Sequence, residues 1–62
     1  MNFEDYYRGY VIWEEDSRMF IGPDSSMYRV FLRNMAYRFT KKEAMLYIDS
    51  HKEKNLMIED VI

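Results

Sequence analysis

The chain contains 62 residues, of which 48% are hydrophobic and none is cysteine, and its net charge is −2. A chain of this size is expected to fold as one domain, residues 1–62, and without cysteine it forms neither a disulfide framework nor a thiolate metal site. Its hydrophobic content excludes intrinsic disorder. No apolar stretch approaches the roughly 20 residues that cross a bilayer, and the acidic N-terminus is unlike a secretory signal, so we expect a cytoplasmic protein with no membrane partner.

The first predicted element is a β-hairpin. Residues 6–13 are mainly aromatic or β-branched, which favours a strand. Residues 14–17 are polar and turn-like, and residues 18–21 then form the returning strand. Residues 22–26, which include Gly22 and Pro23, give the strongest loop signal in the chain.

Residues 27–39 have two interpretations. Val30 and Leu32 alternate with other side chains, and a short turn after Arg33 would give two more short strands. The alternative is a helix that begins at one of residues 24–26. Strands are favoured, because Asn34 and Arg38 would interrupt the apolar stripe of such a helix.

A helix is predicted over residues 41–54. Thr40 and Glu43 have the spacing of a capping box, in which each side chain bonds to the backbone N–H of the other residue. Asn55 is a plausible helix stop. One face of this helix is apolar and faces the core, and it carries Ala44, Tyr47, Ile48 and His51.

Together these elements predict an α+β fold, with a three- or four-stranded antiparallel sheet packed against one C-terminal helix at about residues 41–54. The tail from Leu56 to Ile62 is unusually apolar for a chain end. We expect it to fold back over Leu46, which lies on the polar side of the helix. The alternative is a homodimer that forms through Leu46 and this tail.

A short motif adds a family resemblance. The run from Phe39 to Ala44, followed by Tyr47, Ile48 and Asp49, resembles the last strand and helix of small phage and mobile-element proteins. The arm-binding domains of tyrosine integrases have a similar layout. The resemblance implies a three-stranded antiparallel sheet covered by one helix. In the integrase modules that sheet enters the DNA major groove, whereas some of the small phage proteins bind and inhibit host or defence proteins.

The sequence offers no arrangement suited to catalysis. Asp49, Ser50 and His51 are the residue types of a hydrolase triad, but consecutive helical residues point about 100° apart and cannot form a relay. The acidic run from Glu14 to Asp16 lacks the spacing and the glycine of a calcium loop. We therefore expect a protein that is not an enzyme and has no catalytic residue, metal site or cofactor.

Protein binding is the favoured function. Interface hot spots are enriched in tyrosine and tryptophan, and acidic residues beside them could engage a basic surface on a partner. We expect an inhibitor or adaptor that docks on a larger host or defence protein. The candidate protein-binding residues are Tyr7, Trp13, Glu14, Glu15 and Asp16.

The alternative function is nucleic-acid binding through residues 29–42. This segment contains five basic residues and no acidic one, which suits contacts to phosphates. A pI of about 5.2 argues against it, because dedicated nucleic-acid-binding domains are usually basic. The candidate residues are Arg29, Arg33, Arg38, Lys41 and Lys42.

Overall fold

The structure, a computed structural model, describes residues 5–23 and 29–61. It contains four strands and one α-helix, which confirms the predicted α+β class. In chain order the elements are β1 (Tyr10–Glu14), β2 (Met19–Ile21), β3 (Arg29–Val30), a 3-10 turn (Arg33–Met35), α1 (Lys41–Ser50) and β4 (Leu56–Asp60).

The four strands form one antiparallel sheet in the order β3-β2-β1-β4. The predicted hairpin is β1 and β2, which pair Trp13 with Phe20 and Glu14 with Met19. On its other side β1 pairs along its whole length with β4, where Ile12 lies opposite Ile58. The first strand of the chain is therefore central, and β3 and β4 are the two edges.

The C-terminal tail differs from its prediction. The expectation that it folds back over Leu46 is wrong, because residues 56–60 form β4 beside β1 and the Leu46 side chain stays 59% exposed. The helix is consequently followed by a strand and is not the last element. The tail extends the sheet because β1 has apolar side chains on both faces and needs a strand on each side.

The helix also ends earlier than predicted, at Ser50 instead of Lys54. The His51 N–H bonds to the Ile48 carbonyl at 3.1 Å, and the His51 ring stacks on Tyr47 with 4.3 Å between ring centroids. Residues 51–54 form the turn that reverses the chain into β4. A helix that continued to Lys54 would leave too few residues for this reversal.

Residues 29–39 confirm only one of the two expected short strands. Arg29 and Val30 pair with β2, whereas Met27 and Tyr28 lie outside the described residues, as do residues 24–26 of the predicted loop. The second expected strand is reduced to a single bridge between Phe39 and Tyr10. The chain instead turns at residues 33–35 and is tied to β2 by the bond from the Tyr37 N–H to the Ile21 carbonyl.

The core lies on both faces of the sheet. Successive strand residues point to opposite faces, so Val11 and Ile12 are both fully buried in different clusters. The face under α1 contains the cluster of Ile12, Ile21, Phe39 and Ala44, with Tyr47 and Ile48 of the helix packed on it as predicted. The opposite face contains the cluster of Val11, Phe20, Val30 and Ala36.

The helix start provides the first prediction. Thr40 Oγ1 accepts a bond from the Glu43 N–H, and Glu43 Oε1 accepts one from the Thr40 N–H, both at 3.1 Å. Replacing Thr40 with alanine should lower the free energy of unfolding by about 1 kcal/mol, because a helix N–H loses its acceptor. Urea denaturation followed by circular dichroism measures this. Lys42→Ala, at an exposed position in the same turn, is the control and should change it by less than about 0.5 kcal/mol.

Candidate functional site

The acidic run at the end of β1 separates into a buried residue and an exposed pair. Glu14 is only 5% exposed, and its carboxylate forms a two-pronged ion pair with Arg29, with both N–O distances at 3.2 Å. Lys54 lies 3.6 Å from the same carboxylate. Within this fold Glu14 belongs to the interior, and the acidic surface is formed by Glu15 and Asp16.

The surroundings of Glu14 shift its titration strongly. The pKa of Glu14 is lowered from 4.5 to about 2, mainly because Arg29 donates hydrogen bonds to the carboxylate. The positive charges of Arg29 and Lys54 lower this pKa further, whereas burial opposes the shift. The side chains of Glu14 and Arg29 are 6% and 16% exposed, so water screens the pair little. The carboxylate therefore stays ionised at neutral pH and fixes β3 against the end of β1.

Glu15 and Asp16, here called the acidic turn, are exposed but held in place. The Glu15 N–H donates to the Asn55 carbonyl at 2.9 Å, and Asn55 Nδ2 donates to Asp16 Oδ1 at 3.2 Å. Arg18 closes the turn in the left-handed region, with φ of 57°. The acidic turn is thus tied to the residue that precedes β4.

Next to the acidic turn lies the face of the sheet opposite α1, here called the open face. Trp13 is half-buried on it and packs edge-to-face against Phe20, with 5.0 Å between ring centroids. Met57 lies directly opposite Trp13 on β4 and is 56% exposed. Antiparallel sheets with one solvated face usually carry polar side chains there, so an apolar pair at this position is unusual.

Residues 31–36 cover the open face only in part. Ala36 packs into its cluster, and Arg33 is ion-paired at 2.6 Å with Glu59 at the border. The same segment leaves three large apolar side chains exposed, with exposed fractions of 76%, 57% and 55% for Phe31, Leu32 and Met35. In the described part of the chain, the open face and this segment together expose a large apolar surface.

The five predicted protein-binding residues do not form one surface. Tyr7 packs against Tyr10 at the start of β1, with its ring directly over Gly9, where any side chain would overlap it. Trp13 and Glu14 point to opposite faces by strand alternation. The structure therefore brings together only Trp13 and the acidic turn, and it places Tyr7 at the other end of the strand.

Met57 and Asn55 were missed by the sequence analysis. Alternation within residues 56–60, where Met57 and Glu59 point one way and Leu56 and Ile58 the other, is a strand signal that could have indicated Met57. No sequence signal connects Asn55 with the acidic turn, because the two are brought together only by the pairing of β1 with β4.

The five predicted nucleic-acid-binding residues are also divided. Arg29 is held by Glu14 and Arg33 by Glu59, so acidic residues from elsewhere in the chain neutralise two of the five. The other three are exposed and form no ion pair with any residue in 5–23 or 29–61: Arg38, Lys41 and Lys42.

The residue types of the hydrolase triad are each bonded elsewhere. Ser50 Oγ donates to the Leu46 carbonyl at 2.9 Å, His51 Nδ1 lies 2.8 Å from the Tyr47 carbonyl, and Asp49 pairs with Lys52 at 3.3 Å. Across the described ranges, no three side chains of His, Asp or Glu are grouped as metal ligands would be. In the same ranges, no helix is both long enough and apolar enough to span a membrane.

Comparisons of this chain with protein-family models, with curated proteins and with solved structures give no match. The resemblance of Phe39–Asp49 to phage and integrase modules therefore stays a prediction.

The Glu14 ion pair generates a pH prediction. The pKa of Glu14 is near 4.5 in the unfolded chain and about 2 in the folded one. The ion pair therefore makes its full contribution to stability above about pH 5, and this contribution is lost as the pH falls towards 2. The contribution is about 3 kcal/mol. Glu14→Gln should lower the free energy of unfolding by about that amount at pH 7 and flatten its pH dependence. Glu15→Gln, at an exposed position, is the control.

Urea unfolding of the three proteins between pH 2 and pH 7 checks this. If Glu14→Gln kept the pH slope of the unaltered chain, the ion pair would not be the origin of the acid sensitivity.

Proposed function

We propose that this chain is a non-enzymatic binding protein, an inhibitor or adaptor that docks in the cytoplasm on a larger protein. The docking surface in this proposal is the open face together with the acidic turn. The single observation that carries it is the pairing of half-buried Trp13 with exposed Met57 on a sheet face that no helix of the described chain covers. The homodimer expected from the C-terminal tail would use a different surface, because Leu46 lies on the helix.

The apolar part of this surface has the properties of an interface anchor. Tryptophan is enriched among hot-spot residues, which carry most of the binding free energy. Trp13 is held by its edge-to-face contact with Phe20, so little side-chain entropy remains to be lost on binding. Met57 is flexible and polarisable, which suits adaptation to a partner surface.

The acidic turn indicates the charge of the partner. Glu15 and Asp16 are exposed and pre-positioned by Asn55, and such charges act mainly on the association rate and on specificity. The expected partner has an apolar depression bordered by lysine or arginine. A host or defence protein as the target is supported only by the resemblance of residues 39–49 to small phage proteins.

The proposal predicts that Met57→Lys abolishes partner capture. The change places a charge beside Trp13 and repels a basic partner, and loss of a hot-spot contact of about 2 kcal/mol or more weakens binding roughly 30-fold. Immobilised chain would be used to capture proteins from a nuclease-treated lysate at moderate salt. Leu46→Lys, at a similarly exposed apolar position on α1, is the matched control and should capture as well as the unaltered chain.

Trp13 supplies an independent readout, because it is the only tryptophan in the chain. Its fluorescence should become less accessible to acrylamide when the captured protein is added. If the Met57 and Leu46 variants captured equally and acrylamide quenching did not change, the open face would not be the docking surface.

Nucleic-acid binding is the second candidate, and the observation in its favour is the set of three exposed cations at the start of α1. Only Arg38, Lys41 and Lys42 are available, because Arg29 and Arg33 are paired with acidic residues. Base-independent phosphate contacts would account for most of any such affinity.

The second candidate predicts a shallow salt dependence. With at most three phosphate contacts, the slope of log K against log salt on duplex DNA should not exceed about −2.7 in magnitude. Fluorescence anisotropy with a labelled duplex at 50 to 200 mM salt measures it. A double variant, Lys41→Ala with Lys42→Ala, should remove most of the binding, whereas Arg33→Ala should not. Binding that is unaffected by the double variant would exclude this patch.

A further inference from the structure

The solvent-facing side of α1 carries two large apolar side chains. Met45 is 56% exposed and Leu46 is 59% exposed, whereas Ala44 of the same helix is fully buried against the sheet. At 100° per residue, four residues form a stripe on the side of the helix away from Ala44, here called the outer stripe: Lys42, Met45, Leu46 and Asp49. The outward side of a surface helix is normally polar, so the apolar centre of this stripe is a candidate interface.

An apolar groove adjoins the outer stripe. It has a volume of about 230 Å³ and is lined by Met45 and Ile48 of α1 and by Ile58 of β4, with Asp49 and Lys52 at its border. This volume is below the roughly 300–1,000 Å³ of small-molecule sites, so the side chain of a partner fits it better than a ligand. An element that packs on the outer stripe would cover the groove as well, because Met45 belongs to both.

The charges of the outer stripe are placed symmetrically about its apolar centre. Lys42 lies three residues before Met45, and Asp49 lies three residues after Leu46. In the part of the chain that the structure describes, Lys42 forms no ion pair. The stripe therefore has a positive end that lacks an internal partner.

Asp49, at the negative end, has one ion pair on its own helix. The Lys52 ammonium lies 3.3 Å from Asp49 Oδ1, and the two side chains are 77% and 70% exposed. So exposed a pair contributes little to stability. An ionised carboxylate has about four acceptor positions on its two oxygens, so Asp49 can bind a second cation without losing Lys52.

We propose that two copies of this chain associate by antiparallel packing of α1 on α1, with the two-fold axis passing between the levels of Met45 and Leu46. In this register Lys42 of each copy faces Asp49 of the other, because the two positions are equally far from the axis. The apolar residues meet at the centre, and each helix covers the groove of the other copy. Parallel packing would oppose like charges at both ends, so the charges select the antiparallel orientation.

The size of the outer stripe limits the strength of this dimer. The helix has 10 residues and is about 15 Å long. Interfaces that bury less than about 1,200 Å² are typical of weak and transient complexes, so we expect a monomer–dimer equilibrium that depends on concentration. The open face lies on the opposite side of the sheet. The dimer thus leaves it uncovered and does not depend on the proposed docking function.

Charge reversal tests the register. Lys42→Glu opposes two carboxylates at each end of the helix pair and should weaken dimerisation about tenfold or more in sedimentation velocity. Adding Asp49→Lys should restore the dimer, because the ion pairs form again with their signs exchanged. Side chains of one helix interact when they are three or four residues apart, whereas residues 42 and 49 are seven apart. The rescue therefore reports contacts between copies.

Two single variants separate this proposal from the proposed function. Leu46→Lys places like charges near the axis and should shift the equilibrium about tenfold or more towards monomer, while it still captures a protein at the open face. Met57→Lys, on the open face, should dimerise as well as the unaltered chain although it loses capture. All of these positions are exposed, and circular dichroism of each variant checks the fold.

Three results would overturn the proposal. One is an unaltered chain that stays monomeric up to about 1 mM. Another is a dimer that Leu46→Lys leaves intact, which would place the interface elsewhere. The third is a double variant, Lys42→Glu with Asp49→Lys, that dimerises no better than Lys42→Glu alone.

Discussion

The structure depends on one constraint, which is that β1 is apolar on both of its faces. Val11 and Ile12 are adjacent in sequence, and neither has any solvent exposure. A strand of this kind needs a neighbour on each side and a covering layer above and below. β2 and β4 are the neighbours, and α1 is one covering layer. In the part of the chain that the structure describes, the other layer is the short segment of residues 31–36, so the open face follows from an incomplete second cover.

Most of the unevenly distributed charge in the sequence is taken up by ion pairs within the fold. Three arginines that look available to a partner are paired with acidic residues distant in the chain, through the pairs Arg8–Glu43, Arg29–Glu14 and Arg33–Glu59. Only Arg29–Glu14 is buried, and it joins an edge strand to the central one. Within residues 5–23 and 29–61 the acidic and basic regions of the sequence therefore partly neutralise each other, and the group of Arg38, Lys41 and Lys42 at the helix start keeps its charge without an ion pair there.

Local signals predicted the parts of the fold that local interactions determine. The β1–β2 hairpin pairs residues five or seven positions apart, and the capping box joins residues three apart, so both are encoded in short windows. The burial of Glu14 was not predictable in this way, because it depends on Arg29 and Lys54, which lie far along the chain. For the same reason the sequence predicts a covering tail where the structure has β4. Its sequence indicates a strand, but its place beside β1 is a tertiary result.

In the candidate site, too, local sequence predicts some residues and tertiary contacts bring in the others. Trp13 and the acidic turn were predicted from residue type and lie together, since they are neighbours in sequence. Met57 was missed because only the register of β4 against β1 places it opposite Trp13. Residue type alone predicts Tyr7 as part of the site, and the contact with Tyr10 holds it at the other end of the strand.

The pairing of β1 with β4 also has a consequence for how the chain folds. It joins residues between 42 (Glu14 to Leu56) and 50 (Tyr10 to Asp60) positions apart, so it closes the largest loop in the structure and carries its highest contact order. The hairpin and the helix can form within microseconds, whereas this ladder waits for a long loop to close. During synthesis β1 keeps one bare edge until residues 56–60 have left the ribosome. At high concentration β4 of another molecule could fill that edge first, which makes strand exchange the characteristic misfolding route of this topology.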